Sequence, residues 1–111
     1  MSGFASGVDL YFADIVAELK EEHILFLEAA LLYRNRINTK DVESQRLLDE
    51  CNAIGIHSEK YHQNCYVVRN RFMVQASDLI IAVYDGREKG GTLFTIRYTQ
   101  AMKKEVKVII I

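Results

Sequence analysis

The chain of 111 residues contains no proline. Proline breaks helix interiors and central strands, so its absence fits dense regular structure. Glycine is scarce, and five of the six cluster in two turns: Gly3 and Gly7 near the start, Gly86, Gly90 and Gly91 in one later loop. The only two cysteines, Cys51 and Cys65, read as small buried thiols of a reducing compartment rather than as a disulfide. No apolar run approaches the ~20 residues that span a bilayer. No basic-then-apolar leader opens the chain. The expectation is a cytoplasmic protein without a membrane partner.

What is present is enough for one packed domain. Half the residues are hydrophobic and 26% are charged, the balance of a soluble α/β or helical core. The net charge of -1 argues against wholesale nucleic-acid binding. The sign is unevenly spread, however. Residues 1–55 carry 10 acidic and 5 basic side chains, and residues 56–111 carry 5 acidic and 9 basic. An anion bound in the second half meets a favourable local field; the plainer reading is scattered solvated charge.

The stretch Arg69–Thr95 organises the rest. Asp78–Tyr84 (DLIIAVY) is a short apolar run bounded by polar residues, the pattern of a strand covered on both faces. Asp85-Gly86 follows, then Gly90-Gly91-Thr92, then a helical pattern over about Thr92–Lys104. A glycine loop between a strand's carboxyl end and a helix's amino end suits phosphate. The first helical N–H groups lack intrahelical partners, the helix dipole favours an anion, and glycine admits close approach.

Along the chain, Met1–Val8 reads as a small-residue turn, with Ser6 or Asp9 capping a helix over about Asp9–Lys20. Leu10, Ala13, Val16 and Ala17 form one apolar stripe of that helix, and Phe12, Ile15 and Leu19 a second. Ile24–Ala29 is a buried-strand candidate, and Ala30–Asn38 a loop. A helix over about Thr39–Cys51 is capped by Asn38 or Thr39 and carries Ser44, Leu47, Leu48 and Cys51 on one face. Ala53–His57 reads as a strand. Asn64–Gln75 reads as a helix bearing Val67, Val68, Phe72 and Met73. In the helix after the glycine loop, Leu93, Ile96, Tyr98 and Ala101 supply the apolar faces. Val106–Ile111 closes the chain as a strand. Strands alternating with helices predict an α/β fold, a Rossmann-like three-layer α/β/α with a mainly parallel sheet of about four strands and right-handed crossovers. The opening turn looks like the loop after a strand, so the sheet is expected to have an open edge through which copies can associate.

Two readings stand for most candidate site residues. Gly90, Gly91 and Thr92 form a phosphate cradle with the Thr92 hydroxyl capping the helix, or a plain capped turn. Arg69 and Arg71 diverge on a helix; one forks onto phosphate, or both make surface ion pairs. Asp85 accepts from a ribose hydroxyl, or forms an Asx turn with Gly86. Asp9 does the same, or caps its helix. Gly3 and Gly7 admit a ligand, or only permit the turn. Tyr33, Arg34, Asn35 and Arg36 line a pocket edge, or lie in a solvated loop. His57, His62, Cys51 and Cys65 lack paired zinc-ligand spacing, so no metal is assigned. The loop is neither G-x-G-x-x-G nor a Walker motif.

Four blocks carry a resemblance: Ser2-Gly3-Phe4-Ala5-Ser6-Gly7-Val8-Asp9; Cys65 through Arg69-Asn70-Arg71-Phe72-Met73; Ser77 through Asp85-Gly86; and Gly90-Gly91-Thr92. In this order they resemble the YpsA-like family of Rossmann-type domains in the SLOG superfamily, over nearly the whole chain. That superfamily also holds the DNA-processing protein A family and the LOG family of phosphoribohydrolases. Family members begin earlier, with a strand, a helix and a further strand. The resemblance therefore implies a single SLOG-type domain over residues 1–111, truncated at its amino terminus. It implies a pocket at the strands' carboxyl ends, with Gly3, Gly7 and Asp9 on one wall. Asp85, Gly86, Gly90, Gly91 and Thr92 form the other, and Arg69 and Arg71 stand nearby. The ligand class is a nucleotide or nucleotide derivative, such as ADP-ribose or NAD.

No catalytic residue is assigned. The LOG loop reads P-G-G-x-G-T-x-x-E, and its glutamate assists glycosidic cleavage. Thr95 stands in that place here and cannot supply a carboxylate's charge beside an oxocarbenium-like centre. Arg71 keeps the arginine before the strand, so binding survives better than catalysis. Single-stranded DNA binding, as in the DNA-processing family, is the alternative. It needs several phosphate contacts and an aromatic stacking surface.

Overall fold

The computed structural model describes residues 1–5, 7–88 and 90–111. The cap candidate Ser6 therefore lies outside the described residues. The described residues are α/β, with four α-helices and two parallel two-stranded sheets among them, in two units, Met1–Cys65 and Tyr66–Ile111. The parallel pairing expected from the sequence is present; its four strands are divided between two sheets, not hydrogen-bonded into one.

In the first unit, α1 (Val8–Leu19) buries Ala13, and Leu10, Val16 and Ala17 pack against the core. This is the first of the two expected stripes; Phe12, Ile15 and Leu19 of the second are exposed. Strand β1 spans Glu28–Leu31 and pairs in parallel with β2 (Ala53–Ile56), Glu28 opposite Ala53 and Leu31 opposite Ile56. The strand expected at Ile24–Ala29 is thus displaced toward the carboxyl end. Ile24, Leu25 and Phe26 are exposed, because only the residues from Leu27 onward meet β2's backbone and the Asn52 side chain, whose Oδ1 accepts from Leu27 N–H at 2.8 Å. The expected loop after it holds the last two residues of β1 and a 3-10 turn at Arg34–Asn38.

Helix α2 (Val42–Glu50) buries Leu47 and Leu48 as its stripe predicts. Its cap is neither Asn38 nor Thr39 but Asp41, whose carboxylate accepts from Ser44 N–H at 3.0 Å. Thr39 serves the preceding turn, its Oγ1 accepting from Asp41 N–H at 3.2 Å. The core joins Phe4, Ala13, Leu27, Ala29, Leu31, Leu47 and Leu48. Arg46 on α2 reaches Asp14 of α1 at 2.7 Å, an exposed pair that adds little stability.

In the second unit, α3 (Cys65–Ala76) turns its core face through Val74, which is fully buried, while Val68 and Phe72 are exposed. Strand β3 (Leu79–Tyr84) pairs in parallel with β4 (Glu105–Ile110), Leu79 opposite Glu105 and Tyr84 opposite Ile110. Helix α4 (Gly91–Ala101) connects them and buries Ile96 and Thr99. The expectation that β3 is covered on both faces is corrected: Ala82 is buried, but Leu79 and Ile81 are exposed. They lie on the opposite side of the pleat from Ala82. Among the described residues, no helix is long and apolar enough to cross a membrane. Cys65 is buried and Cys51 half-buried, both as thiols.

Candidate ligand-binding site

The candidate residues fall in both units. In the first unit the opening turn is tied to the start of α1. Ser2 Oγ donates to the Asp9 carbonyl at 2.9 Å and accepts from Phe4 N–H at 3.3 Å. The Asp9 carboxylate accepts from Ala5 N–H at 3.1 Å, reaching back across the helix start. Asp9 thus ties the turn to the helix without capping it: it lies inside α1, whose N-cap is Gly7 and has no side-chain cap bond. Gly7 is the residue before α1, at φ +83°, a left-handed conformation that side-chain-bearing residues adopt at a cost. Gly3 is buried in the same turn.

In the second unit the expected order holds: β3 ends at Tyr84, a loop follows, and α4 begins at Gly91. Gly90 is the residue before the helix, with φ +126° and ψ 176°, a region open essentially to glycine alone. Being glycine, this N-cap residue makes no side-chain cap bond. The expected cap, Thr92, lies two residues past the cap position, because the cap is Gly90 and the helix starts at Gly91. A Cβ added at Gly91 would meet nothing nearer than Asn70 Nδ2 at 3.8 Å and Tyr66 Cδ2 at 3.9 Å. A side chain of one carbon therefore fits at Gly91 in ordinary van der Waals contact, and at Gly90 a Cβ would meet nothing within 4 Å.

Asp85 follows the Asx-turn alternative. Its Oδ1 accepts from Arg87 N–H at 3.2 Å and its Oδ2 pairs with the Arg87 guanidinium at 2.7 Å. Tyr84 donates its hydroxyl to the Arg87 carbonyl, and Gly86 takes φ +88°. A ribose hydroxyl would have to compete with Arg87 for this carboxylate.

The two arginines of α3 diverge as their spacing requires. Arg69 Nε donates to Asn70 Oδ1 at 3.1 Å. The Arg71 guanidinium lies 5.8 Å from the ring centres of both Phe94 and Tyr98 on α4, within reach of a cation–π attraction. Those two rings stack at 5.9 Å and 8°. Thr95 donates its hydroxyl to the Gly91 carbonyl at 3.0 Å. Lys89 lies outside the described residues.

A shallow groove of about 430 Å³ runs along α4, lined by Glu88, Gly90, Leu93, Phe94, Arg97 and Tyr98 among others. Its volume is within the ~300–1,000 Å³ of small-molecule sites. It meets the sequence expectation only at Gly90. The side chains from α4 were assigned to internal packing or to no role; the signal that marks them is the aromatic pair Phe94 and Tyr98 four residues apart, with Arg97 beside it.

The remaining loop candidates have local partners. Arg34 holds Glu59 through two bonds of 2.6 and 2.8 Å, which raises the arginine's pKa and lowers the carboxyl's. Arg36 lies 5.4 Å over the Tyr33 ring. His62 Nε2 is 3.0 Å from Ser58 Oγ. Among the described residues, no three His, Cys, Asp or Glu side chains gather as a metal set would need. No family model matches the chain, and no curated protein matches it.

Proposed function

We propose that the chain is a Rossmann-like, three-layer domain of the YpsA-like SLOG type that binds a nucleotide or nucleotide-derived ligand, ADP-ribose or NAD among the candidates, with no catalytic residue assigned. The supporting observation is the start of α4: Gly90 leads into a helix whose N-cap residue, a glycine, makes no side-chain cap bond. The first amides of such a helix attract an anionic group. The groove along α4 continues from the same residue past Phe94, so a phosphate at Gly91 leaves room for the rest of a nucleotide. The Thr95 hydroxyl, bonded to the helix backbone, supplies neither charge nor base, which weighs against a phosphoribohydrolase.

The test is Gly91→Asp with a panel of labelled ADP-ribose, NAD, nucleoside monophosphates and cyclic nucleotides. The Cβ fits, and an acid in a helix's first turn is favourable, so the fold is retained. Its charge repels the phosphate, and binding is lost. Equal binding by parent and variant would refute the site.

A second reading, single-stranded DNA binding, is favoured by one arrangement: the stacked Phe94–Tyr98 pair with Arg71 over it and Arg97 alongside. Aromatic faces with nearby cations hold unpaired bases. Stabilisation by short oligonucleotides and by no mononucleotide would select this reading.

A further inference from the structure

Phe94 and Tyr98 sit one turn apart on α4, and their rings are parallel to within 8° with centres 5.9 Å apart. Residues four apart share a helix face, and here helix α3 steadies the pair. Gln75 Nε2 donates to the Tyr98 hydroxyl at 2.9 Å. The Arg71 guanidinium, one turn earlier on α3, lies 5.8 Å from both ring centres. Both rings are half-buried and both line the groove along α4, to which α3 contributes no residue among those described. The aromatic pair is thus held from α3 and presented to the groove.

Two rows of side chains at four-residue spacing border this groove, Gly90–Phe94–Tyr98 and Leu93–Arg97–Ala101. The first row offers bare backbone and then aromatic surface. The second is an apolar wall interrupted by one guanidinium. Arg97 is exposed and, among the described residues, makes no ion pair. A planar guanidinium without a carboxylate partner is free to cover a flat ring laid on the aromatic pair. Residues 66–111 carry 8 basic and 4 acidic side chains, so this unit draws an anionic ligand.

We propose that the α4 groove is a base subsite: the purine ring of a nucleotide lies on Phe94 and Tyr98, with the Arg97 guanidinium over its outer face. The ligand's phosphate rests on the nucleotide reading above; the stacking of its base does not. The described lining holds one carboxylate, Glu88 at the loop end, and no amide side chain. The hydrogen-bonding edge of the base therefore goes largely unread, and the area of its face decides. Adenine and guanine are accepted alike, whereas a single-ring pyrimidine covers less of the pair.

The probes are AMP, adenosine, UMP, ribose 5-phosphate and a short oligodeoxyadenylate. Each is titrated by NMR against the intact chain and against Phe94→Leu, Arg97→Gln and Gly91→Asp. The parent should bind AMP with its adenine proton resonances moved upfield by the rings. UMP and ribose 5-phosphate should bind about tenfold more weakly or worse, the scale of one stacked base. Phe94→Leu, which keeps apolar bulk in a half-buried position, should weaken AMP and adenosine by a similar factor. Arg97→Gln should weaken both as well; its exposed position makes it a test that does not disturb packing. Gly91→Asp should weaken AMP and spare adenosine. AMP held no tighter than ribose 5-phosphate, or untouched by Phe94→Leu, would overturn the base subsite and leave the nucleotide reading standing. Adenosine dependent on Phe94, with AMP indifferent to Gly91→Asp, would uphold the base subsite and remove the phosphate site. A parent that binds neither AMP nor adenosine would overturn the proposal, and binding of the oligodeoxyadenylate alone would do so in favour of the strand reading.

Discussion

Lys104 Nζ donates to the carbonyl of Val74 at 2.8 Å, a contact between the residue preceding β4 and the last turn of α3. The same ammonium reaches the Gln75 and Ser77 carbonyls at 2.7 and 2.9 Å. The final carbonyls of a helix have no intrahelical donors, and a cation there also complements the dipole. Lys104 is thus the cap of α3, supplied from the amino end of β4, beside the amino end of β3. Lys104→Met keeps most of the stem and removes the three bonds. It should destabilise the protein by about 1–3 kcal/mol, the scale of charge-assisted bonds to a partly buried donor. Chemical denaturation checks this; an unchanged midpoint would show that water replaces the ammonium at no cost.

The two stripes of α1 and the single stripe of α2 make opposite demands on leucine. Leu47 is fully buried in the first unit's core, whereas Leu19 is 41% exposed. Leu47→Ala should cost about 2–5 kcal/mol through lost transfer energy and a residual cavity. Leu19→Ala should stay within about 0.5 kcal/mol of the parent. Parallel urea titrations decide the matter, and comparable losses at the two positions would mean that the outer stripe of α1 is covered in solution.

Where the sequence was legible, the signal was local. Six apolar residues followed by a glycine doublet locate β3, its loop and the start of α4 to within a residue, though α4 ends three residues before the expected Lys104, and i, i+3, i+4 spacing finds Leu47 and Leu48. Where it misled, the deciding partner was distant. Ile24–Phe26 look as strand-like as Ala29–Leu31, but pairing with β2 and with Ser2 begins only near Glu28. Asn38, Thr39 and Asp41 are all competent caps within four residues; the choice falls to Asp41 because Thr39 closes the turn before it. At the candidate site, the glycines were readable because a positive φ at Gly86 and Gly90 needs them. The Arg71–Phe94–Tyr98 cluster was not, because it depends on how α3 and α4 face each other.

Gly90 and Gly91 are neighbours with different requirements. At φ +126° and ψ 176°, an alanine at 90 is strained, and nothing about the open space beside it relieves the backbone. Gly90→Ala should cost about 1–3 kcal/mol. Gly91 lies within the helix and its added Cβ makes ordinary contacts. Gly91→Ala should therefore be neutral, or stabilising by up to about 1 kcal/mol. Thermal unfolding of the pair tests this, and a reversed order would place the helix start one residue away from Gly91.

The acid limb of stability should report on Asp41. The Ser44 hydroxyl at 2.7 Å and the Ser44 N–H at 3.0 Å both favour its charged form and hold its pKa below the ordinary carboxylate value. A carboxyl whose folded pKa lies below its unfolded one binds fewer protons when folded. Its contribution is complete above the unfolded value, near ~4, and is lost as pH falls through the lower, folded value. Glu59, lowered by the Arg34 side chain, acts with the same sign in the same window. Asp41→Asn keeps an acceptor at the cap but cannot titrate. Its unfolding midpoint should therefore decline less steeply than the parent's as pH falls from 5 to 3, and the residual decline should shrink again on adding Glu59→Gln. Midpoints that run parallel for parent and Asp41→Asn across that range would remove the cap from the acid transition and leave other carboxylates to account for it.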